Sequence, residues 1–118
     1  MILVDTSIFI YHGRHRDRRL AEWLTEGLVL GHPFVQGELA CGTMPRRTEV
    51  LTLFDHLPPA TVLSHQEMLH FVDRRQLMGR GLGWIDLHLL ASTLASRATL
   101  ATRDQRLSRV AETLGVAA

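Results

Sequence analysis

Four short apolar runs punctuate this chain, and the residues between them carry helical spacing or turn chemistry. Ile2-Leu3-Val4, Leu28-Val29-Leu30, Thr61-Val62-Leu63 and Thr99-Leu100-Ala101-Thr102 are too short for helices and rich enough in apolar or β-branched residues to read as buried strands. Between them, residues 18–26 place Leu20, Trp23 and Leu24 on one helical face. Pro33 stands where a first helical position is expected and opens a helix through Ala40 that stops near Gly42. Further helices are expected over 46–57, closed by Pro58-Pro59, over 66–78, ahead of the glycine-rich stretch 79–83, over the strongly apolar 85–96, and over 105–114. Val116 is placed to begin a last edge strand. Helices alternating with short strands imply parallel pairing and helical cover on both faces, which is a three-layer α/β/α sandwich with a short parallel sheet. With no internal repeat or linker, residues 1–118 read as one domain.

The first strand raises a chemical problem, because Ile2-Leu3-Val4 runs directly into Asp5, and burying an unpaired carboxylate is costly. Open parallel sheets gather ligands beyond the carboxyl ends of their strands, which is where Asp5 falls. A helix over 86–97 advances roughly 18 Å at about 1.5 Å per residue. A strand over 98–103 returns roughly 20 Å at about 3.3 Å per residue, so Asp104 is expected to finish near Asp86, on the edge that holds Asp5. Glu38 lies early in the helix after the second strand and projects near the same edge. Four converging acids raise one another's pKa values or require a cation, and an all-oxygen set suits Mg²⁺ or Mn²⁺ rather than zinc. Thr6, Ser7 and Thr102 stand beside the acids as hydroxyls able to orient the carboxylates. Taken singly, Asp86 and Asp104 also suit helix N-termini as caps or dipole partners, and Glu38 suits a solvated helix face.

Composition narrows the alternatives. The 118 residues are 46% hydrophobic and 21% charged, with a net charge of +1. No run approaches the roughly 18 apolar residues of a membrane span, and no basic leader precedes the first apolar run, so a cytoplasmic chain is expected. Cys41 is the sole cysteine and reads as a small buried hydrophobe. Seven histidines form neither an HExxH pattern nor a paired-cysteine site and read mostly as surface residues. Phe9, Phe34, Phe54 and Phe71 sit among aliphatic residues and read as core. There is no GxSxG elbow and no phosphate-binding loop. A phospho-accepting receiver domain or an aspartate phosphatase also places Asp and Mg²⁺ at strand ends. Both rely on a lysine at the phosphoryl group, and all thirteen basic residues here are arginine.

Leu3-Val4-Asp5-Thr6-Ser7, Gly37-Glu38-Leu39-Ala40-Cys41-Gly42, Trp84-Ile85-Asp86-Leu87-His88-Leu89-Leu90-Ala91 and Ala101-Thr102-Arg103-Asp104, in this order, resemble the PIN-domain ribonucleases and in particular the VapC toxins of type II toxin–antitoxin pairs. The resemblance spans essentially the whole chain. It implies a PIN-like fold and metal-dependent hydrolysis of RNA phosphodiester bonds, with Asp5, Glu38, Asp86 and Asp104 as catalytic and metal-binding acids. One or two Mg²⁺ or Mn²⁺ ions are implied, along with support from Ser7 and Thr102, a homodimer and a VapB-like antitoxin laid across the pocket. Arg14 and Arg16 in "RHRDRR", and Arg74, Arg75 and Arg80 in "DRRQLMGRG", are then candidate RNA contacts, with a solvated surface as the competing reading. A second function class is a catalytically silent PIN-like module that binds RNA or protein. His88 departs from the pattern: an apolar side chain is expected two residues after Asp86, so His88 is read as tuning substrate or facing solvent. The short stretch after Gly115 is a second departure.

Overall fold

The computed structural model describes residues 1–118. In chain order it contains β1 (Ile2–Val4), α1 (Thr6–His15), α2 (Arg18–Thr25), β2 (Val29–Leu30), α3 (Pro33–Ala40), α4 (Arg47–Leu53), α5 (His65–Arg75), α6 (Trp84–Ala95), β3 (Thr99–Ala101) and α7 (Gln105–Thr113). The three strands are parallel and ordered β2-β1-β3. From β1 the chain crosses to one side to reach β2, then returns past β1 to reach β3. Right-handed crossovers in opposite directions put helices on opposite faces, which gives the α/β/α layering. The reversal of strand order centres on β1, so the crevice beyond its carboxyl end is the topological switch point.

The central strand is buried because both of its sides are paired and both of its faces are covered. Leu3, Val4, Val29, Leu100 and Ala101 join Ile8, Val35, Leu39, Leu89, Leu90 and Leu107 in one continuous apolar core. Helix α6 lies deepest: every residue from Leu87 to Thr93 is buried. An apolar stripe alone cannot account for that burial, since Ser92 and Thr93 lie within it. Thr93 donates to the Leu89 carbonyl at 2.7 Å, and Ser92 Oγ lies 3.0 Å from His32 Nε2.

Three sequence expectations need correction. Residues 61–63 form no strand. The chain instead touches the sheet earlier, where Gly31 pairs with Pro59, donating to the Pro58 carbonyl and accepting from Ala60 N–H. The two prolines lack the N–H groups a longer ladder needs, and Thr61 N–H turns away to Ser96 Oγ at 2.9 Å. The helix expected over 46–57 ends at Leu53 and tightens into a 3₁₀ turn at Phe54–His56 before the prolines. The expected final strand is reduced to a single bridge between Leu100 and Ala117. In addition, residues 6–15, to which sequence reading assigns no element, form α1 and bury Ile8 and Phe9.

His32 corrects the surface reading of the histidines. It is 1% exposed, caps α3 by accepting Phe34 N–H at Nδ1, and meets Ser92 of α6 at Nε2. One neutral ring thus ties together the two helices that carry Glu38 and Asp86. Burial, and secondarily the neighbouring His88, lowers its pKa from 6.5 to about 4. The unfolded chain therefore binds the proton more readily between about pH 6.5 and 4, so stability falls as pH drops through that window. At roughly 1.4 kcal/mol per pH unit the loss totals about 3 kcal/mol. In His32→Asn, which keeps a capping oxygen but cannot titrate, urea denaturation at pH 4.5, 5.5 and 6.5 is expected to give a visibly shallower dependence. An unchanged slope would assign the acid sensitivity to other groups.

Candidate active site

Asp5 follows the last residue of β1, and its backbone N–H continues the ladder to the Ala101 carbonyl at 2.9 Å. That pairing holds the side chain at the sheet edge, where it is only 7% exposed. Ser7 Oγ and Thr102 Oγ1 each donate to Asp5 Oδ2 at 2.7 Å. Both bonds fall on one oxygen, which leaves Oδ1 free for a ligand. The hydroxyls are held in turn: Arg103 N–H donates to Ser7 Oγ at 3.0 Å, and Asp104 N–H donates to Thr102 Oγ1 at 3.0 Å. Two segments far apart in sequence are thereby laced around one carboxylate.

The other acids arrive from three different helices. Glu38 is exposed on α3 and accepts from Thr6 Oγ1 at 2.7 Å through Oε1. Asp86 sits in the first turn of α6 and accepts Gly83 N–H at Oδ2, 3.1 Å away. Asp104 caps α7 by accepting Leu107 N–H at Oδ1, also 3.1 Å away. The capping reading of Asp86 and Asp104 thus describes one oxygen of each, and the second oxygen of each stays uncommitted. Electrostatics shows that the four share a neighbourhood. Burial raises the pKa of Asp86, the Gly83 N–H opposes that rise, and the charges of Asp5, Asp104 and Glu38 add to it. No arginine figures among these influences.

The four carboxylates do not form a closed cage, since no three acidic, histidine or cysteine side chains are arranged to grip an ion as they stand. The donor chemistry nonetheless suits a hard divalent cation. Every candidate ligand atom is oxygen, and magnesium binds through one or two carboxylates while keeping several waters. An open set with one free oxygen on each aspartate matches that habit.

The remaining candidates scatter. Thr6, Ser7 and Thr102 lie within the acid network. Arg14 and Arg16 are exposed at the end of α1 and line a cavity of about 610 Å³ with Leu20, Met44, Glu49 and Val50. Arg74 and Arg75 are exposed in the last turn of α5, and Arg80 is exposed in the loop leading to α6. Cys41 is exposed rather than buried, because it caps the end of α3 as the chain leaves the core. Of the four phenylalanines, Phe9 is buried and Phe54 and Phe71 are half-buried against the core, whereas Phe34 is half-buried beside the rings of His32 and His88 rather than in the core.

His88 neither faces solvent nor enters the acid cluster. It is 4% exposed, wedged edge-on between the rings of Phe34 at 4.7 Å and Trp84 at 5.1 Å. Burial, with a smaller contribution from His65, lowers its pKa. Its Nδ1 has no hydrogen-bond partner, and an orphaned buried polar atom costs about 1–3 kcal/mol. His88→Leu is accordingly expected to raise the melting temperature by about 3 °C, with the absence of ring–ring packing against Phe34 and Trp84 offsetting part of the gain. A lower melting temperature would show that the edge-on packing outweighs the orphaned nitrogen.

Comparison with known proteins agrees with this geometry. The PIN domain family matches residues 2–113. Ribonuclease VapC32 of Mycobacterium tuberculosis, in the CDC 1551 / Oshkosh strain and again in the ATCC 25618 / H37Rv strain, is 47% identical over 118 residues, covering 99% of this chain and 95% of the relative. No solved structure matches. A full-length match in sequence, together with a three-layer fold that sets acids at its switch point, shows that the chain belongs to the PIN-domain family, within its VapC branch.

Proposed function

We propose that this chain is the toxin of a type II toxin–antitoxin pair, an endoribonuclease that hydrolyses RNA phosphodiester bonds at the edge defined by Asp5, Glu38, Asp86 and Asp104. The observation that carries the reading is the hydrogen-bonded acid cluster: Ser7 and Thr102 hold Asp5 by Oδ2, Thr6 holds Glu38 by Oε1, and Asp86 and Asp104 are each fixed by one oxygen. Such a cluster has a clear use where a divalent cation is to be held. Mg²⁺ or Mn²⁺ is the cation proposed, received by the free oxygens of Asp5, Asp86 and Asp104 and by Glu38. When bound, it supplies Lewis-acid polarisation of the phosphate and a more acidic water.

The chain's own contribution is placement. Ser7 and Thr102 hold Asp5 by Oδ2, so Oδ1 is left for a ligand without a search among rotamers. Thr6 restrains the otherwise exposed Glu38. Gly83 N–H holds one oxygen of Asp86 and Leu107 N–H one oxygen of Asp104, so the second oxygen of each is left for the cation. The single PIN-like unit over 1–118 is proposed to act as a homodimer in the cytoplasm under the control of a VapB-like antitoxin. No helix is long and apolar enough to cross a membrane. Arg14, Arg16, Arg74, Arg75 and Arg80 are proposed as outer RNA contacts.

Asp5→Asn and Asp104→Asn are each expected to lower cleavage by at least about 100-fold while the melting temperature moves by only a few degrees. Wild type should lose activity in EDTA and regain it with Mg²⁺ or Mn²⁺. Mapping new RNA 5′ ends after induction in bacteria, wild type against Asp5→Asn, tests the function directly. Discrete ends from wild type alone support it, whereas RNA binding without cleavage by either would support a catalytically silent binding module instead. If Arg80 touches phosphate, Arg80→Ala should weaken RNA binding and flatten its salt dependence by about 0.7 in log–log slope.

A further inference from the structure

We infer that Arg103, mounted on the ring of Tyr11, is the residue that receives an RNA phosphate adjoining the one to be cut. The inference rests on the ribonuclease reading above and assigns a positioning role within that site. Two contacts hold Arg103. Its backbone N–H donates to Ser7 Oγ, the hydroxyl that orients Asp5, and its guanidinium carbon lies 3.7 Å from the centre of the Tyr11 ring. The main chain is therefore fixed to the acid site, and the charge is displaced sideways onto α1. Tyr11 is itself braced by His15, one turn along the same helix, at 4.9 Å between ring centres.

This geometry is unusual for an arginine immediately before Asp104. Its backbone joins the hydroxyl network around Asp5, while its guanidinium is carried over the Tyr11 ring. The place of the guanidinium over the ring leaves its N–H donors without a protein hydrogen-bond partner, so they are usable by a ligand. Arg103 is exposed and Tyr11 half-buried, so the outer edge of the stack is open to a ligand.

An acidic pocket repels a polyanionic strand, and a cation held at its rim answers that repulsion at the neighbouring phosphate without occupying the place of a metal ion. Planar, bidentate recognition of phosphate suits arginine better than lysine. The stack also removes rotamer freedom from the side chain before the strand arrives, so less ordering remains to be done on binding.

The test is steady-state cleavage of a fluorescein-labelled single-stranded RNA in Mg²⁺ over a series of salt concentrations. Arg103→Ala is expected to raise KM about tenfold with kcat within about twofold of wild type, and to reduce the log–log salt slope of kcat/KM by about 0.7, the value of one phosphate contact on a single strand. Arg103→Lys should restore the slope but only part of KM. Tyr11→Phe should behave as wild type, Tyr11→Leu should raise KM, and the double variant Arg103→Ala/Tyr11→Leu should be no worse than Arg103→Ala alone. Arg97→Gln, beyond the opposite end of β3, is the control expected to change neither parameter. Active wild type with an unchanged KM and slope in Arg103→Ala would overturn the assignment and leave the ribonuclease reading standing. A fall in kcat and melting temperature without a KM or slope change would also overturn it, making Arg103 a structural residue. RNA neither bound nor cut by wild type would overturn both.

Discussion

The carboxylate of Asp5 is the constraint around which this structure is arranged. It terminates the central strand of a sheet whose faces are both covered, and it is nearly buried there. Charge in that position has to be met, and the chain meets it on one oxygen with two hydroxyls from opposite ends of the sequence. Those bonds determine more than the orientation of Asp5. Ser7 belongs to the first turn of α1 and Thr102 to the link between β3 and α7, so the start of one helix and the approach to another are locked to a single atom. The backbone N–H groups of Arg103 and Asp104 then close the network by donating to the same hydroxyls. Sheet edge, helix starts and acid site are one hydrogen-bonded unit.

A second tie acts on the far side of the site. Glu38 and Asp86 ride on α3 and α6, which have no strand in common to set their spacing. His32 supplies the connection by capping α3 through Nδ1 and bonding Ser92 of α6 through Nε2. Like charges on the two helices push them apart at the pocket, and a buried neutral bond between them resists that motion from within the core. Burial of the ring keeps it neutral at ordinary pH, so the tie adds no charge to the acid field.

Most of the fold was legible because it rests on local patterns: short apolar runs for the three strands, Pro33 at the start of α3, and the apolar density of α6. The failures have specific causes. Helix α1 was hidden because Thr6, Ser7, Ile8, Phe9 and Ile10 favour strands or caps over helix interiors, and because Asp5, the natural cap, spends its side chain on Ser7 and Thr102 instead. Residues 61–63 look like a strand in isolation, but the prolines before them end the ladder at Pro59. His88 stood out in the sequence as a polar residue at an apolar position. Trp84 is its neighbour one turn back on α6, whereas its contact with Phe34 depends on how α3 meets α6, which no local pattern encodes. Counting helix and strand lengths predicts that Asp104 returns near Asp86, and the strand end and helix start place Asp5 and Glu38, whereas the hydrogen bonds of the four acids and the open spacing among them have no local signature.

The pairing of Arg103 with Tyr11 lies beyond sequence reading for the same reason, and it exposes a division of labour in the site. Arginine clusters stand out in a sequence by number, and those near residues 14–19 and 73–81 sit on exposed helix ends and a loop. Arg103 attracts no notice as a lone arginine, but two contacts immobilise it beside the acids. A strand of phosphates approaching this edge meets repulsion from four carboxylates, and charges at a distance answer that repulsion weakly because salt screens them. A fixed cation at the rim answers it where it is strongest.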